Sequence, residues 1–436
     1  MISVSLRKVN KNLFKGSFAI NSIWAILSSF ISKGLNFFTI AFIAKTLGPK
    51  LFGEYNVIQT TVGLFGTVSG LGLGLAATKL IAEFRDVDQK KVGEIIGSLY
   101  LLSIVISITV FIVFFISSGW VAGSLFNNQS LSVLLKITSL IVVFDALNGV
   151  QNGILSGFES FRDITFINTF AGLISSPLMI FGAFYFGLTG LTITLLISRV
   201  INVFINSIYL QKNYKNFRIN IKAVLTKEKL KPIFGISLPS FLSSMATSPI
   251  NWVSTTIFVN QPMGYNSLGI YNAANQLRQL VLFLPDSAGK VSIPTLANAF
   301  GNGDLKKFKI TVLTTFLWNL VLSLGPAIVI FFFSGIFKNY IGKEFIISTD
   351  LVLIVLITGI LVALTNAIGY IFICSNLIWY DFILRIFWGI SLIALLLLFG
   401  RNNGVIGYAT SILGASVIHM IVQICLLLIK FSFKKH

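Results

Sequence analysis

The stretch Leu47–Asn56 reads LGPKLFGEYN, and Met263–Asn272 reads MGYNSLGIYN. At an offset of 216 positions, Gly48, Gly53, Tyr55 and Asn56 match Gly264, Gly269, Tyr271 and Asn272. The same offset, without a gap, pairs Leu80, Phe84, Asp88, Lys90 and Lys91 with Leu296, Phe300, Asp304, Lys306 and Lys307. A weaker echo at an offset of 218 pairs Asn148 with Asn366 and Asp163 with Asp381. The chain is written in two copies, and what lies between them decides the fold.

The intervening sequence is suited to hydrocarbon. Hydrophobic residues make up 55% of the chain and charged residues only 11%, with a mean hydropathy of +0.88. A soluble domain carries about a quarter charged residues. Apolar runs such as Ile95–Ile116, Thr311–Phe333 and Leu351–Ile373 recur along the length. Each is close to the roughly 20 residues that cross a bilayer as helix. The expectation is an all-α polytopic membrane protein with twelve transmembrane helices. They fall at about 18–44, 55–77, 95–118, 131–152, 164–186, 188–210, 233–260, 269–293, 311–333, 349–373, 382–400 and 404–429. The fifth and sixth form one apolar block, split at Gly187-Leu-Thr-Gly190 because an unbroken helix of that length is twice the bilayer. The first run follows Arg7, Lys8, Lys11 and Lys15 and is too long for a signal peptide, so it reads as a span.

Six spans separate the two copies, and an even number leaves both halves in the same orientation. Two parallel six-helix repeats, 1–210 and 233–436, are therefore expected around a basic linker at 211–232. The end of that linker, KAVLTKEKLKPIFG, reads either as an amphipathic helix on the membrane surface or as a solvated basic connection. Gly48 and Gly53 read as bracketing a short turn opened by Pro49. Gly66, Gly70 and Gly74 read as a small-xxx-small face.

With the N-terminus inside, 22 of the 33 Lys and Arg residues lie in inner segments, 5 in outer segments and 6 within spans. Cytoplasmic loops are the ones enriched in Lys and Arg, so both termini are expected in the cytoplasm. The net charge of +19 then reflects topology and attraction to anionic lipid, and calls for no nucleic acid. The two cysteines, Cys374 and Cys425, sit in apolar runs and offer neither a disulfide framework nor a metal site. No phosphate-binding loop or HExxH is present, and no loop offers paired carboxylates, so an enzyme is not indicated.

A first span NSIWAILSSFISKGLNFF followed by LGPKLFGEYNVIQ, and the later NGILSGFESFRD at 152–163, resemble the polysaccharide exporters, the Wzx-type flippases. The resemblance covers essentially the whole chain. It implies the fold of the multidrug/oligosaccharidyl-lipid/polysaccharide superfamily: a MATE-like 6+6 arrangement around a cavity that opens alternately to each side. It also implies a substrate, an undecaprenyl-diphosphate-linked oligosaccharide turned from the cytoplasmic to the periplasmic leaflet of a bacterial inner membrane for O-antigen or a related glycan. A polysaccharide polymerase and a chain-length regulator are the partners it suggests. No cofactor is expected, with proton or sodium coupling as the energy source.

Charges within spans mark candidate sites, because a charge at bilayer centre costs at least about 2.5–3.5 kcal/mol unless it meets protein or water. Lys33, Arg199 and Arg278 fall near mid-membrane, where they are expected to line the cavity and hold a diphosphate. Lys136, Lys290 and Arg385 fall nearer span ends, with stems long enough to reach the headgroups. Asp145 and Asp286 are the buried acids, open to coupling or counter-charge roles. Asp286 stands four residues from Lys290, whereas Asp145 has no base at helical spacing. His419 reads as a hydrogen-bonded core residue. A cation-coupled multidrug exporter of the same fold is the alternative, but it would need acids to dominate the interior.

Reporter fusions should place both termini and residues 211–232 in the cytoplasm. A periplasmic C-terminus would break the parallel repeat.

Overall fold

Backbone amides in hydrocarbon have no water to bond, so apolar segments satisfy them internally as helix. The computed structural model describes residues 2–301, 305–375, 377–400 and 403–432. In chain order these form α1 (Ile2–Gly70), α2 (Leu73–Phe84), α3 (Gln89–Trp120), α4 (Leu131–Ser139), α5 (Ile141–Gly157), α6 (Phe161–Asn216) and α7 (Lys227–Met245). They continue with α8 (Ser248–Val259), α9 (Gly264–Gly301), α10 (Leu305–Ile341), α11 (Thr349–Cys374), α12 (Ile378–Leu395) and α13 (Gly404–Ser432). Among the described residues, eight helical segments are long and apolar enough to cross a bilayer, or nine if the bent pair Lys33–Gly70 and Leu73–Phe84 is one span.

Two long helices are broken where only glycine tolerates the backbone. Gly48 in α1 has φ 73° and ψ 170°, and Gly187 in α6 has φ 58° and ψ −141°. An L side chain is excluded from both conformations. The second break resolves the 56-residue α6. At about 1.5 Å per residue it is too long for one crossing. A Cβ placed on Gly182 would stand 2.6 Å from the carbonyl oxygen of Gly190, so the chain folds back on itself at the expected position.

By contact the chain divides into two compact units, one of Met1–Thr39, Phe65–Gly119 and Ser132–Leu242, the other of Ile40–Leu64, Trp120–Leu131 and Ser243–His436. The division does not follow the midpoint of the sequence.

In the first unit, α2 and α5 pack through small residues. A Cβ on Gly74 would lie 2.6 Å from the Gly149 carbonyl oxygen, and one on Gly157 would lie 2.7 Å from Cβ of Ile81. Gly153 meets the Gly74 carbonyl in the same way. The small-residue contact therefore runs through Gly74 of α2 and Gly153 and Gly157 of α5, whereas a Cβ on Gly66, Gly70 or Gly149 would face open space. Of the expected face on the second span, only Gly74 is in the contact, because α1 ends at Gly70 and the chain turns at Leu71–Gly72 before α2. Arg85 then holds the end of α5, donating from Nη1 to the Gly157 carbonyl at 3.0 Å and pairing with Glu159 at 2.8 Å. Leu73, Ile81, Ile96, Leu99, Ile154 and Leu210 form the buried core beside these contacts.

The expected connection 211–232 begins as the last turns of α6, to Asn216, and ends as the first turns of α7, from Lys227. Residues 219–226 run extended along α3, with α7 beginning at Lys227. Gly93 and Gly97 lack the side chains that would collide with the backbone at Asn220 and Lys222. Ser98 donates to the Val224 carbonyl at 2.9 Å, the Lys222 amide donates to the Gly93 carbonyl at 3.3 Å, and Lys229 pairs with Glu94.

In the second unit, the two copies of the opening stretch meet each other. A Cβ on Gly53 would overlap the Tyr265 carbonyl and lie 3.2 Å from the Gly269 amide. A Cβ on Gly269 would overlap the Pro49 carbonyl and lie 3.1 Å from the Gly53 amide. Pro49 and Tyr265 are themselves 216 positions apart, so the contact is reciprocal. Gly53 is thus a helix-packing residue of α1 rather than part of a turn. The seam is reinforced by Trp252 Nε1 donating to Thr61 at 3.2 Å. Asn128 donates to Glu54 at 3.2 Å beside it. α11 is the most enclosed span of this unit and packs on α9, α10 and α13.

Gly53→Val and Gly269→Val should each destabilise the protein by at least about 1–3 kcal/mol through overpacking. Gly66→Ala should leave the melting temperature in detergent unchanged. Equal melting temperatures for all three would contradict the seam.

Candidate functional site

α9 is not among the apolar spans, because polar residues interrupt it. Tyr271, Asn272, Asn275 and Arg278 recur at helical spacing on one face, and all four line a cavity of about 420 Å³. That size lies within the roughly 300–1,000 Å³ range of ligand sites. The cavity lies wholly within the second unit, with α8, α11, α12 and α13 supplying most of the other walls. Its lining is polar and aromatic, with the amides Asn251, Asn366 and Gln423 facing the rings of Trp388 and Tyr408. Tyr408 is fixed in place by stacking on Phe258, ring centroids 4.2 Å apart, and by an edge contact with Tyr271 at 4.8 Å.

Among the described residues the charged lining groups are both arginines, Arg278 and Arg385, and none is a carboxylate. Arg278 lays its stem on α11, where a Cβ on Gly359 would stand 3.1 Å from Cγ. It enters none of the ion pairs among the described residues, and its buried Nε has no hydrogen-bond partner. Asn275 Oδ1, His419 Nε2 and Gln423 Oε1 are likewise buried and unpartnered. Unmet donors and acceptors in a low-dielectric cavity are where a polar ligand gains most. Arg385 differs, since its Nε donates to Asp381 Oδ2 at 2.8 Å.

The sequence-predicted residues separate by unit. Lys33, Asp145 and Arg199 lie in the first unit, Arg278 and Asp286 in the second. Arg199 Nε stands 3.3 Å from Asp145 Oδ1, aligned as an ion pair but not as a hydrogen bond. Asp145 thus finds across α5 and α6 the base that its own helix lacks. The pair heads a polar seam. Asn206 donates to Asn148 at 3.1 Å, and Gln151 donates to Ser207 at 2.9 Å. The spacing 145, 148, 151 against 199, 202, 206 carried that signal in the sequence. Lys33 and Asp286 both have interaction partners. The Lys290 side chain, expected to pair with Asp286, lies outside the described residues.

Two cavity residues were read otherwise from the sequence. Arg385 was expected to snorkel from a span end and instead lines the cavity. His419 is buried as expected, but its Nε2 faces the cavity group without a hydrogen bond. Depth along a helix was legible, but the direction each residue faces depends on neighbours far away in sequence.

Comparison with known proteins gives a consistent result. The chain is 22% identical over 344 residues to a protein of Shigella flexneri assigned as an O-antigen transporter, covering 78% of this chain and 80% of that one. It is also 22% identical over 344 residues to a protein of Haloferax volcanii assigned as a low-salt glycan biosynthesis flippase, covering 77% and 68%. Its fold matches a multidrug resistance MATE family transporter of the MOP superfamily with a TM-score of 0.77, at 17% identity, over 94% of this chain and 98% of that one. Residues 18–300 match the family model described as polysaccharide biosynthesis protein. The chain is a multi-pass membrane protein and belongs to that polysaccharide biosynthesis family.

Proposed function

We propose that this protein is an inner-membrane flippase. It turns a polyprenyl-diphosphate-linked oligosaccharide from the cytoplasmic to the periplasmic leaflet by alternating access. Twelve spans in two parallel halves, 1–210 and 233–436, with both termini cytoplasmic, are the topology this reading uses. The break at Gly187 supports it, since it divides the over-long α6 into two lengths suited to a bilayer. The relatives assigned to O-antigen transport and glycan flipping support the substrate class.

The single observation that carries the reading is Arg278, which enters no ion pair among the described residues and stands in a polar cavity whose described lining holds no acid. Removing a cation from water is costly unless a ligand or partner compensates, so the site is built for an anion. A guanidinium meets phosphate oxygens bidentately. Arg278, with Lys33 and Arg199, contacts the diphosphate at successive points of its passage, and the amides and rings of the cavity accommodate sugar. An exporter of organic cations would need carboxylates where this cavity has arginines. Proton or sodium coupling falls to Asp145 or Asp286, and membrane lipid, a polymerase and a chain-length regulator are the partners.

Arg278→Ala should abolish surface glycan in a complementation assay while the protein accumulates normally in membranes, because no carboxylate loses its partner. Arg278→Lys keeps the charge without the fork and should restore part of the export. Full export by Arg278→Ala, Lys33→Ala and Arg199→Ala alike would overturn the cationic-cavity mechanism.

The Asp145–Arg199 pair separates structure from coupling. Asp145→Ala alone should lower the amount of folded protein by leaving Arg199 unpaired in the membrane. Asp145→Ala with Arg199→Met should restore the amount. If export then returns as well, Asp145 is not the coupling residue and Arg199 is not a substrate contact.

A further inference from the structure

The two cavity arginines are held differently, and the difference has a chemical consequence. Arg278 enters no ion pair among the described residues, whereas Arg385 reaches the same cavity while bonded to Asp381 at 2.8 Å. Asp381 is only 7% exposed, and its second oxygen, Oδ1, is buried with no partner. Arg385 is the one ion-pair partner of this carboxylate among the described residues. At the offset of 218 that relates Asp381 to Asp163, the counterpart of Arg385 is Ile167. Asp163 instead accepts from Asn213 at 3.4 Å. The exchangeable pair is therefore peculiar to the second copy.

We infer that Asp381 and Arg385 form a charge-exchange latch: an anionic substrate group draws Arg385 off Asp381, and the abandoned carboxylate takes up one proton. This rests on the reading of the cavity as an anion site. A phosphate group offers several charged oxygens to the guanidinium fork, against the single aligned oxygen of Asp381. Once Arg385 turns to that group, Asp381 is a buried charge without compensation, a state that proteins avoid by neutralising the group. A hydronium ion gives its proton to Oδ1 and leaves as water. The Arg385–Asp381 bond breaks, the Arg385–phosphate bond forms, and each substrate bound carries in one proton.

Other titratable and charged groups surround the latch. His419 of α13 senses both Asp381 and Arg385 and is the competing proton acceptor. From α9 come Arg278 and Tyr271 on the cavity wall. Asp286 acts with Arg385 on Tyr370 of α11. Tyr408, also of α13, completes the set. None of the others pairs with Asp381, which leaves it as the group that loses its partner.

The test is calorimetric titration of the full-length protein in nanodiscs with farnesyl diphosphate, a soluble lipid diphosphate, in buffers of different ionisation heat. The wild type should take up about one more proton per ligand than Asp381→Asn, and its affinity relative to that variant should fall about tenfold per pH unit between pH 6 and 8. Asp381→Asn should bind at least as tightly as wild type, having lost the competitor for Arg385. Should it not accumulate, Asp381→Asn with Arg385→Gln leaves no charge unpaired and should also lack the extra proton. Equal uptake in wild type and variants overturns the latch, as does uptake lost in His419→Gln but kept in Asp381→Asn. Binding that needs Arg278 but shows no such proton sinks the latch alone. Binding indifferent to Arg278→Ala, or no binding, removes the anion site and the latch together.

Discussion

A polar side chain in hydrocarbon must find protein or water, and this constraint organises both units. α9 carries too many polar residues to face lipid, so it is enclosed by α8, α10, α11 and α13 and turns Asn272, Asn275 and Arg278 toward a cavity. α5 and α6 solve the same problem without a cavity, by setting Asp145 against Arg199 and Asn148 against Asn206. The second pairs its groups directly but leaves Arg199 Nε, Gln151 Oε1 and Asn206 Oδ1 without a hydrogen bond, whereas the first leaves Asn275 Oδ1, Arg278 Nε and Gln423 Oε1 unmet around a cavity. A ligand is the remaining way to meet them.

The two copies share a scaffold but not a site. Glycines at 53 and 269, tyrosines at 55 and 271, and asparagines at 148 and 366 recur in register. The functional charges do not. The counterpart of Arg278 at 216 positions is Val62, and those of Arg385 and His419 at 218 positions are Ile167 and Ile201. In the opposite direction, Asp145 and Arg199 correspond to Ala363 and Val417. Duplication preserved what helix packing requires and released what chemistry requires, so each half carries its own kind of charged group.

What was legible in the sequence follows from what is local. Apolar run length identified an all-helical membrane fold and placed the break at Gly187, but the expected spans 55–77, 131–152 and 233–260 are each interrupted, at Leu71–Gly72, Leu140 and Ala246–Thr247. The repeat singled out Gly53 and Gly269, but Gly53 reads locally as part of a turn, because its packing partner is its own counterpart 216 positions away. Asp145 and Arg199 were both recognised as buried charges, and only the packing of α5 on α6 revealed them as one pair. Arg385 and His419 were judged by depth alone. Their helices turn them toward α9 and α11, a fact held by contacts rather than by any window of sequence. The basic connection reads as surface helix or solvated linker; residues 219–226 are mostly exposed, and Gly93, Gly97 and Ser98 of α3 hold them in place, a contact no local window shows.

The reciprocal glycine contact also bears on history. Gly53 meets Tyr265 as Gly269 meets Pro49, which is the form of an isologous interface, in which each partner offers the same patch to the other. Two separate half-length chains, each bearing one copy of the motif, would meet across a two-fold axis through this same contact. Carrying both copies of the motif in one chain fixes their ratio at one to one, so one copy can place Arg278 at a cavity where the other has Val62.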